Sequence, residues 1–490
     1  MNDYTKNVSS SQKLVGNTLL SSMSEMSLIF NSIFFILAAR FLGDTVLGMF
    51  NTAIEFVGLF VFFVVFGFNY SITRVVVRDR EKMPQYVVNA LFIQLLVAFL
   101  VFGICIFIAY LLKAKYPLKV RYVIMIVFAA ETFRSFNFTL RTSFKALGKF
   151  TYDVIAVVSE RSFLMLVGGG LLIKGAGLFT VAFVLLAGRI ISFSILVFFL
   201  IRSDKWKSPK LKIVTCIMLI RESVIFIAQT SITKIYEHID VVMISLMRKF
   251  EEVGWYSLAR RILKASWFVP DIITSAVYPE LSSRHLVSKK LVCKLFDRSF
   301  KYILVISILI TLGVILLAET VIVGLVGKEY VNSVIILTLL GIAVIPSYLR
   351  FLFGTTLIAI NKQKTVVIIN IARSISNISL NLILIVMYGY IGAAIATVGT
   401  EYLSMIIFIL FLKREDIIHP GQLTFIYKTV VAVSCVVPLY FVFYKLSDIL
   451  KSLIMIAFYV MVILLLRVFD SDEIAVFKKF IQDKIIKVRK

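Results

Sequence analysis

Phe41-Leu-Gly-Asp-Thr-Val-Leu-Gly48-Met-Phe-Asn-Thr-Ala53 stands at the junction of two long apolar runs. A related stretch, Arg248-Lys-Phe-Glu-Glu-Val-Gly254-Trp-Tyr-Ser-Leu-Ala259, stands at another such junction later in the chain. Each carries a glycine, two bulky residues of which the second is aromatic, two more residues and an alanine, and 206 residues separate Gly48 from Gly254. A second echo pairs Lys145-Ala-Leu-Gly-Lys149 with Ile358-Ala-Ile-Asn-Lys362, where the closing lysines lie 213 residues apart. Duplication on this scale in so apolar a chain marks a transporter built from two packed half-bundles.

The 490 residues are 60% hydrophobic, with a mean hydropathy of +0.95. Apolar stretches of about 20 residues, enough to cross a bilayer as helices, follow one another almost without interruption. About fourteen spans are predicted. They cover 17–39, 47–69, 87–112, 120–140, 152–173, 178–201, 213–247, 255–280, 300–323, 332–358, 365–387, 391–412, 425–445 and 450–467. The chain therefore reads as an all-α polytopic membrane protein; its continuous runs lack the two-residue alternation of a β-barrel. The run 213–247 is the least uniform, because Lys234, Glu237, His238 and Asp240 interrupt it.

Charge sets the orientation. An even number of spans leaves both termini on one side, where the loops hold about 30 Lys and Arg against about 11 on the other. The positive-inside rule puts both termini in the cytoplasm, in a multi-pass protein of the cytoplasmic (plasma) membrane. The net charge of +25 follows from this asymmetry and a basic tail. Basic loops of this kind meet anionic lipid headgroups, so no nucleic acid is expected as a partner. The first apolar run follows a polar head and is too long for a signal-peptide core, so it stays as the first span.

Catalysis has no visible seat. The longest connections, around Arg74 to Tyr86 and Ser282 to Arg298, leave no room for a soluble domain. There is no phosphate-binding P-loop, and His238, His285 and His419 lack metal-site spacing. Cys105, Cys216, Cys293 and Cys435 are scattered, without CxxC spacing, and structural burial is expected for each. A glycan polymerase or ligase would want a large extracytoplasmic loop with catalytic residues, which is missing. The chain reads as a transporter, not an enzyme.

Ionisable residues inside the spans carry the functional signal, because each costs a few kcal/mol at mid-bilayer unless it faces a wet cavity or a partner. The basic ones are Arg161, Arg189, Lys234, Arg260, Arg261, Lys264, Arg350 and Arg373. Arg260, Arg261 and Lys264 share roughly one helix face, and like charges crowded there point to an anionic substrate path. Acidic candidates at depth are Glu25, Glu55, Glu131, Glu160 and Glu401. Glu131 lies three residues before Arg134, so the two can neutralise each other. Glu55 follows Gly48 by seven residues as Arg261 follows Gly254, which places the two at corresponding depths, as a cross-lobe gate or as separate residues of one wet cavity. Glu25 and Glu55, in an otherwise apolar lobe, suit groups that take up and release a proton as a cavity changes sides, or that hold a nearby arginine. Glu131 and Glu401 are further candidates for coupling or gating.

The chain also resembles a family. Ala39-Arg-Phe-Leu-Gly43 followed by Gly48-Met-Phe-Asn is similar to the opening of polysaccharide-biosynthesis flippases. These are the Wzx-type members of the multidrug/oligosaccharidyl-lipid/polysaccharide (MOP) exporter superfamily, which share a fold with MATE transporters. The stretch from Ile239-Asp240 through Glu252-Val-Gly-Trp-Tyr-Ser-Leu-Ala259 to Val277-Tyr-Pro279-Glu-Leu281 resembles the family's mid-chain signature. Gly389-Tyr-Ile-Gly-Ala-Ala-Ile-Ala396 resembles its turn between the eleventh and twelfth spans. The resemblance implies two pseudo-symmetric six-helix lobes, 1–210 and 211–418, with two further spans and the basic tail in 419–490. It implies alternating access that carries a polyprenyl diphosphate-linked oligosaccharide across the cytoplasmic membrane, with cations lining the cavity. Arg261 falls where the family pattern has an arginine; Arg260 departs from it, since an aromatic is commoner there.

The alternatives are a lipid-linked peptidoglycan-precursor flippase and a drug or metabolite antiporter of the same superfamily. A pump for cationic drugs would want carboxylates where this chain has arginines. No metal or organic cofactor is expected, and H+ and Na+ stand as candidate coupling ions. Expected partners are the lipid-linked glycan, membrane lipids and other polysaccharide assembly proteins.

Overall fold

The computed structural model describes residues 20, 23–24, 26–65, 67–79, 81–202, 209–443 and 446–469, and among them there is no strand. In chain order the helices are α1 (Leu28–Val65), α2 (Phe68–Arg78), α3 (Met83–Leu111), α4 (Leu118–Ala146), α5 (Phe150–Ile173), α6 (Leu178–Ile201) and α7 (Ile213–Met247). They continue with α8 (Phe250–Lys264), α9 (Phe268–His285), α10 (Lys289–Leu325), α11 (Asn332–Ala359), α12 (Gln363–Arg414), α13 (Gly421–Val442) and α14 (Asp448–Leu465). Among the described residues, ten helices are long and apolar enough to cross a membrane. The protein is an all-α, multi-pass membrane protein.

Two of those ten are pairs of spans joined end to end. Gly43 (φ 75°, ψ 168°) breaks α1 and Gly389 (φ 59°, ψ −138°) breaks α12, in conformations that a side chain would strain. Both glycines lie where the sequence predicts one span to end and the next to begin. With these pairs and the charge-bearing helices α7 and α8–α9, the count returns to about fourteen. The interrupted run at 213–247 is one continuous helix. The expected span 47–69 is shorter in the structure: α1 ends at Val65, and the chain restarts as the sided helix α2 after Gly67.

The described helices form two compact units. The first takes in the chain to Leu258 with Leu325–Tyr330 and Ile378–Ala393; the second takes in Ala259–Gly324, Val331–Asn377 and the chain from Ala394. In the first, α4 packs against α1, α3 and α6, α5 packs on α6, and α1 also packs on α7. Phe68, Val87, Leu140, Phe144 and Leu196 knit α2, α3, α4 and α6 into one buried cluster. In the second, α9 packs on α11 and α13 on α14. Phe353 of α11 stacks between Phe296 and Phe300 of α10, with ring centroids 5.9 and 6.3 Å away. The cysteines are free; Cys105 is buried as expected, whereas Cys435 is exposed on α13, where the outward face is apolar and suited to lipid.

The two copies of the duplicated signature meet inside the first unit. A β-carbon on Gly48 would overlap the backbone carbonyl of Phe250, and one on Gly254 would overlap the carbonyl of Asp44. Each glycine thus admits the backbone four residues before the other glycine, as in a local two-fold. Thr45 and Glu251, also 206 residues apart, face each other with Oγ1 and Oε1 at 3.4 Å. Trp255 Nε1 donates to Asp44 Oδ2 at 3.0 Å and closes one side of the crossing.

Candidate functional site

The first unit holds a cavity of about 520 Å³ between α1, α4, α5, α6 and α7. Arg134, Arg141, Arg161, Arg189 and Lys234 line it, with Glu160 as the one acid among the lining residues. Apolar helices bring the cations together because each polar group, placed on one face of its helix, escapes lipid by turning into the bundle.

Each cation is tethered. Arg189 binds Glu160 through Nη1 and lies 4.0 Å from Glu131 through Nη2. Arg134 Nε meets the other oxygen of Glu131 at 2.6 Å, and Arg141 with Lys145 holds Asp153. Lys234 Nζ donates to Glu237 at 2.7 Å, one turn along α7. Arg161 donates to the Ser24 carbonyl at 2.5 Å and to Ser27 Oγ at 2.8 Å. Acids and bases differ in where they sit. Side-chain exposure is 1% for Asp153 and 6% for Glu131, against 50% for Arg134 and 40% for Lys234. Asp153 and Glu131 lie behind and orient their cations, Glu160 shares the lining with Arg189, and Glu237 is part-exposed beside Lys234.

Two details sharpen the site. A π-helical stretch at Leu164–Gly168 interrupts α5 three residues after Arg161, and such bulges gather at functional sites. Asn137 Nδ2 donates to the carbonyl of Arg189 at 3.0 Å and pins that stretch of α6 to α4.

Of the residues expected from the sequence, Arg161, Arg189 and Lys234 come together here. Glu131 stands behind them as a tether. Glu55 is joined to His238 across α1 and α7. Glu25 lies outside the described residues. Arg260, Arg261 and Lys264 belong to the second unit, where Lys264 Nζ sits 5.6 Å from the centre of the Trp267 ring. In the same unit Arg350 Nε and Arg373 Nη1 grip the two oxygens of Glu401 at 3.0 and 2.9 Å. Two cavity cations escaped the sequence reading. Arg134 was paired off with Glu131, and Arg141 lies just beyond the predicted end of its span. They are seven residues apart, on one helix face, and that spacing was the available signal.

Comparison with known proteins agrees with this architecture. Residues 14–285, more than half of the chain, match the family described as Polysaccharide biosynthesis protein. A stretch of 295 residues is 24% identical to the "Probable low-salt glycan biosynthesis flippase Agl15" of Haloferax volcanii, covering 56% of this chain and 61% of that relative's length. Among solved structures, the chain is similar to "Lipid II flippase MurJ, inward closed conformation", with a TM-score of 0.71 and 16% identity over 92% of this chain and 98% of that one. It is also similar to an inward-facing multidrug resistance MATE family transporter of the MOP superfamily, with a TM-score of 0.65 and 14% identity over 82% of this chain and 98% of that one. At these identities the likeness is one of fold, and that fold is the one found in the MOP superfamily.

Proposed function

We propose, for a chain that belongs to the polysaccharide biosynthesis protein family, that it flips a polyprenyl diphosphate-linked oligosaccharide across the cytoplasmic membrane by alternating access. The observation that carries this reading is the cavity of about 520 Å³ lined by five cations and one acid. A lipid diphosphate carries about two negative charges and a hydrated glycan, neither of which crosses hydrocarbon unaided. Guanidinium edges offer paired donors to phosphate oxygens, and tethers fixed beforehand lower the cost of ordering them. The polyprenyl tail stays in lipid while the head is carried. Both termini then face the cytoplasm, and Glu55, joined to His238, is a candidate coupling or gating residue. A purely structural scaffold would have no use for charged groups around a void.

The test is reconstitution in proteoliposomes with a fluorescent polyprenyl diphosphate-linked glycan, scored for its appearance in the opposite leaflet. Wild-type protein moves the label faster than empty liposomes. In the second unit, Arg261→Gln abolishes movement at near-normal protein levels, and Arg261→Lys keeps part of it, since the charge survives without the fork. No movement by the folded wild type, with or without an H+ or Na+ gradient, would overturn the proposal.

A further inference from the structure

A second cavity, of about 790 Å³, lies in the other unit between α10, α11, α13 and α14. Its walls are mainly aliphatic, including Leu312, Ile315, Leu316, Val433 and Val437, with the hydroxyls of Thr311, Thr338 and Ser434 among them. Along α10 the lining runs from Ile308 to Glu319, and along α13 from Val430 to Phe441. At 1.5 Å per residue each wall is about 16 Å long, the shape of a slot and not of a bowl. One end only is ionic. There Lys451 Nζ meets Asp448 Oδ1 at 2.9 Å and lies 4.7 Å from the centre of the Tyr440 ring. Thr320 Oγ1 donates to the other Asp448 oxygen at 3.1 Å, and Glu319 is exposed beside them on the cavity lining.

We infer that this slot is a binding site for a membrane phospholipid whose head carries an ammonium beside its phosphate, as phosphatidylethanolamine does. An acyl chain fills the aliphatic length, where burial of each CH₂ is favourable by about 0.8 kcal/mol. The polar end selects the head. Glu319 and Asp448 present two carboxylates against the single ammonium of Lys451, an excess of one negative charge among the described lining residues. An ammonium head group finds Glu319, and the adjacent phosphate finds Lys451. A polyprenyl diphosphate, with about two negative charges and no cation, meets repulsion at that end. The slot therefore differs in kind from the cationic cavity of the first unit and does not depend on the function proposed for it.

The test is native mass spectrometry of the full-length protein extracted in mild detergent. It is paired with photo-crosslinking in liposomes containing phosphatidylethanolamine, phosphatidylglycerol or polyprenyl diphosphate, each with a photoreactive chain. Phosphatidylethanolamine is expected to remain bound and to crosslink to α10 and α13. Glu319→Gln, at an exposed position that leaves folding intact, lowers its retention relative to phosphatidylglycerol about tenfold. Val437→Trp, which fills the slot, removes the crosslink from α13. Equal retention of the two phospholipids, indifference to Glu319→Gln, or preferential crosslinking of the polyprenyl diphosphate would each overturn the assignment.

Discussion

Arg189 and Arg373 are both arginines set in apolar helices and tied to a glutamate, yet their surroundings differ. Arg189 shares Glu131 with Arg134, lines a cavity with Arg161 and Lys234, and opens on its space of about 520 Å³. Arg373 is 5% exposed and converges with Arg350 on Glu401, which is 4% exposed. In the first arrangement Glu131 and Asp153 are buried behind cations that line a void, and Glu160 is the one acid that shares the lining. In the second, a single acid is enclosed by two cations. An intramembrane arginine is therefore not by itself a substrate ligand. What matters is whether the cation or its counter-ion occupies the accessible side. We read the first group as a receptor for anions and the second as a clasp that holds α11 to the two arms of α12.

The largest effect follows from breaking the clasp. Glu401→Ala takes the carboxylate from the buried Arg373 and the part-buried Arg350, which should cost about 3–5 kcal/mol. Thermal unfolding in detergent should show a sharp fall in midpoint and in recovered protein. Glu160→Gln should cost less than half as much, because Arg189 keeps Glu131 within 4.0 Å and borders a space that water can fill. Equal losses for the two variants would erase the distinction between clasp and receptor.

A smaller effect is expected where the two signature copies meet. Gly48→Ala and Gly254→Ala each drive a β-carbon into a carbonyl of the other copy and should each cost about 1–3 kcal/mol. Because the contact is reciprocal, the double variant should cost less than the sum of the two, since one displacement relieves both clashes. Full additivity in unfolding measurements would mean that the glycines do not share a contact.

These comparisons also mark how far the amino-acid sequence could be read. Span limits were legible because hydropathy is local: the run at 213–247 is helix Ile213–Met247, and the junctions near 43 and 389 are kinks at glycine. The placement of Arg161, Arg189 and Lys234 inside long helices was legible for the same reason. What those residues touch was not. Glu55 meets His238 across 183 residues, and Arg350 meets Glu401 across 51, and spacing along one helix carries no trace of either pairing. Arg134 illustrates the limit in the other direction. Its partner Glu131 was correctly legible at three residues' distance, but a neutralised charge can still present its cationic face to a cavity.

The smallest effect on stability should accompany the most telling effect on function. Arg134 is half exposed, so Arg134→Gln should change folding by no more than about 1 kcal/mol. The decisive measurement is the affinity of purified protein for a short-chain polyprenyl diphosphate in detergent, at low and at physiological salt, for wild type and for Arg134→Gln combined with Lys234→Gln. With the cations facing the ligand, the double variant should bind at least about tenfold more weakly, and the salt dependence of binding should flatten. Unchanged affinity and unchanged salt dependence in a folded double variant would contradict the claim that this cavity receives the anionic head.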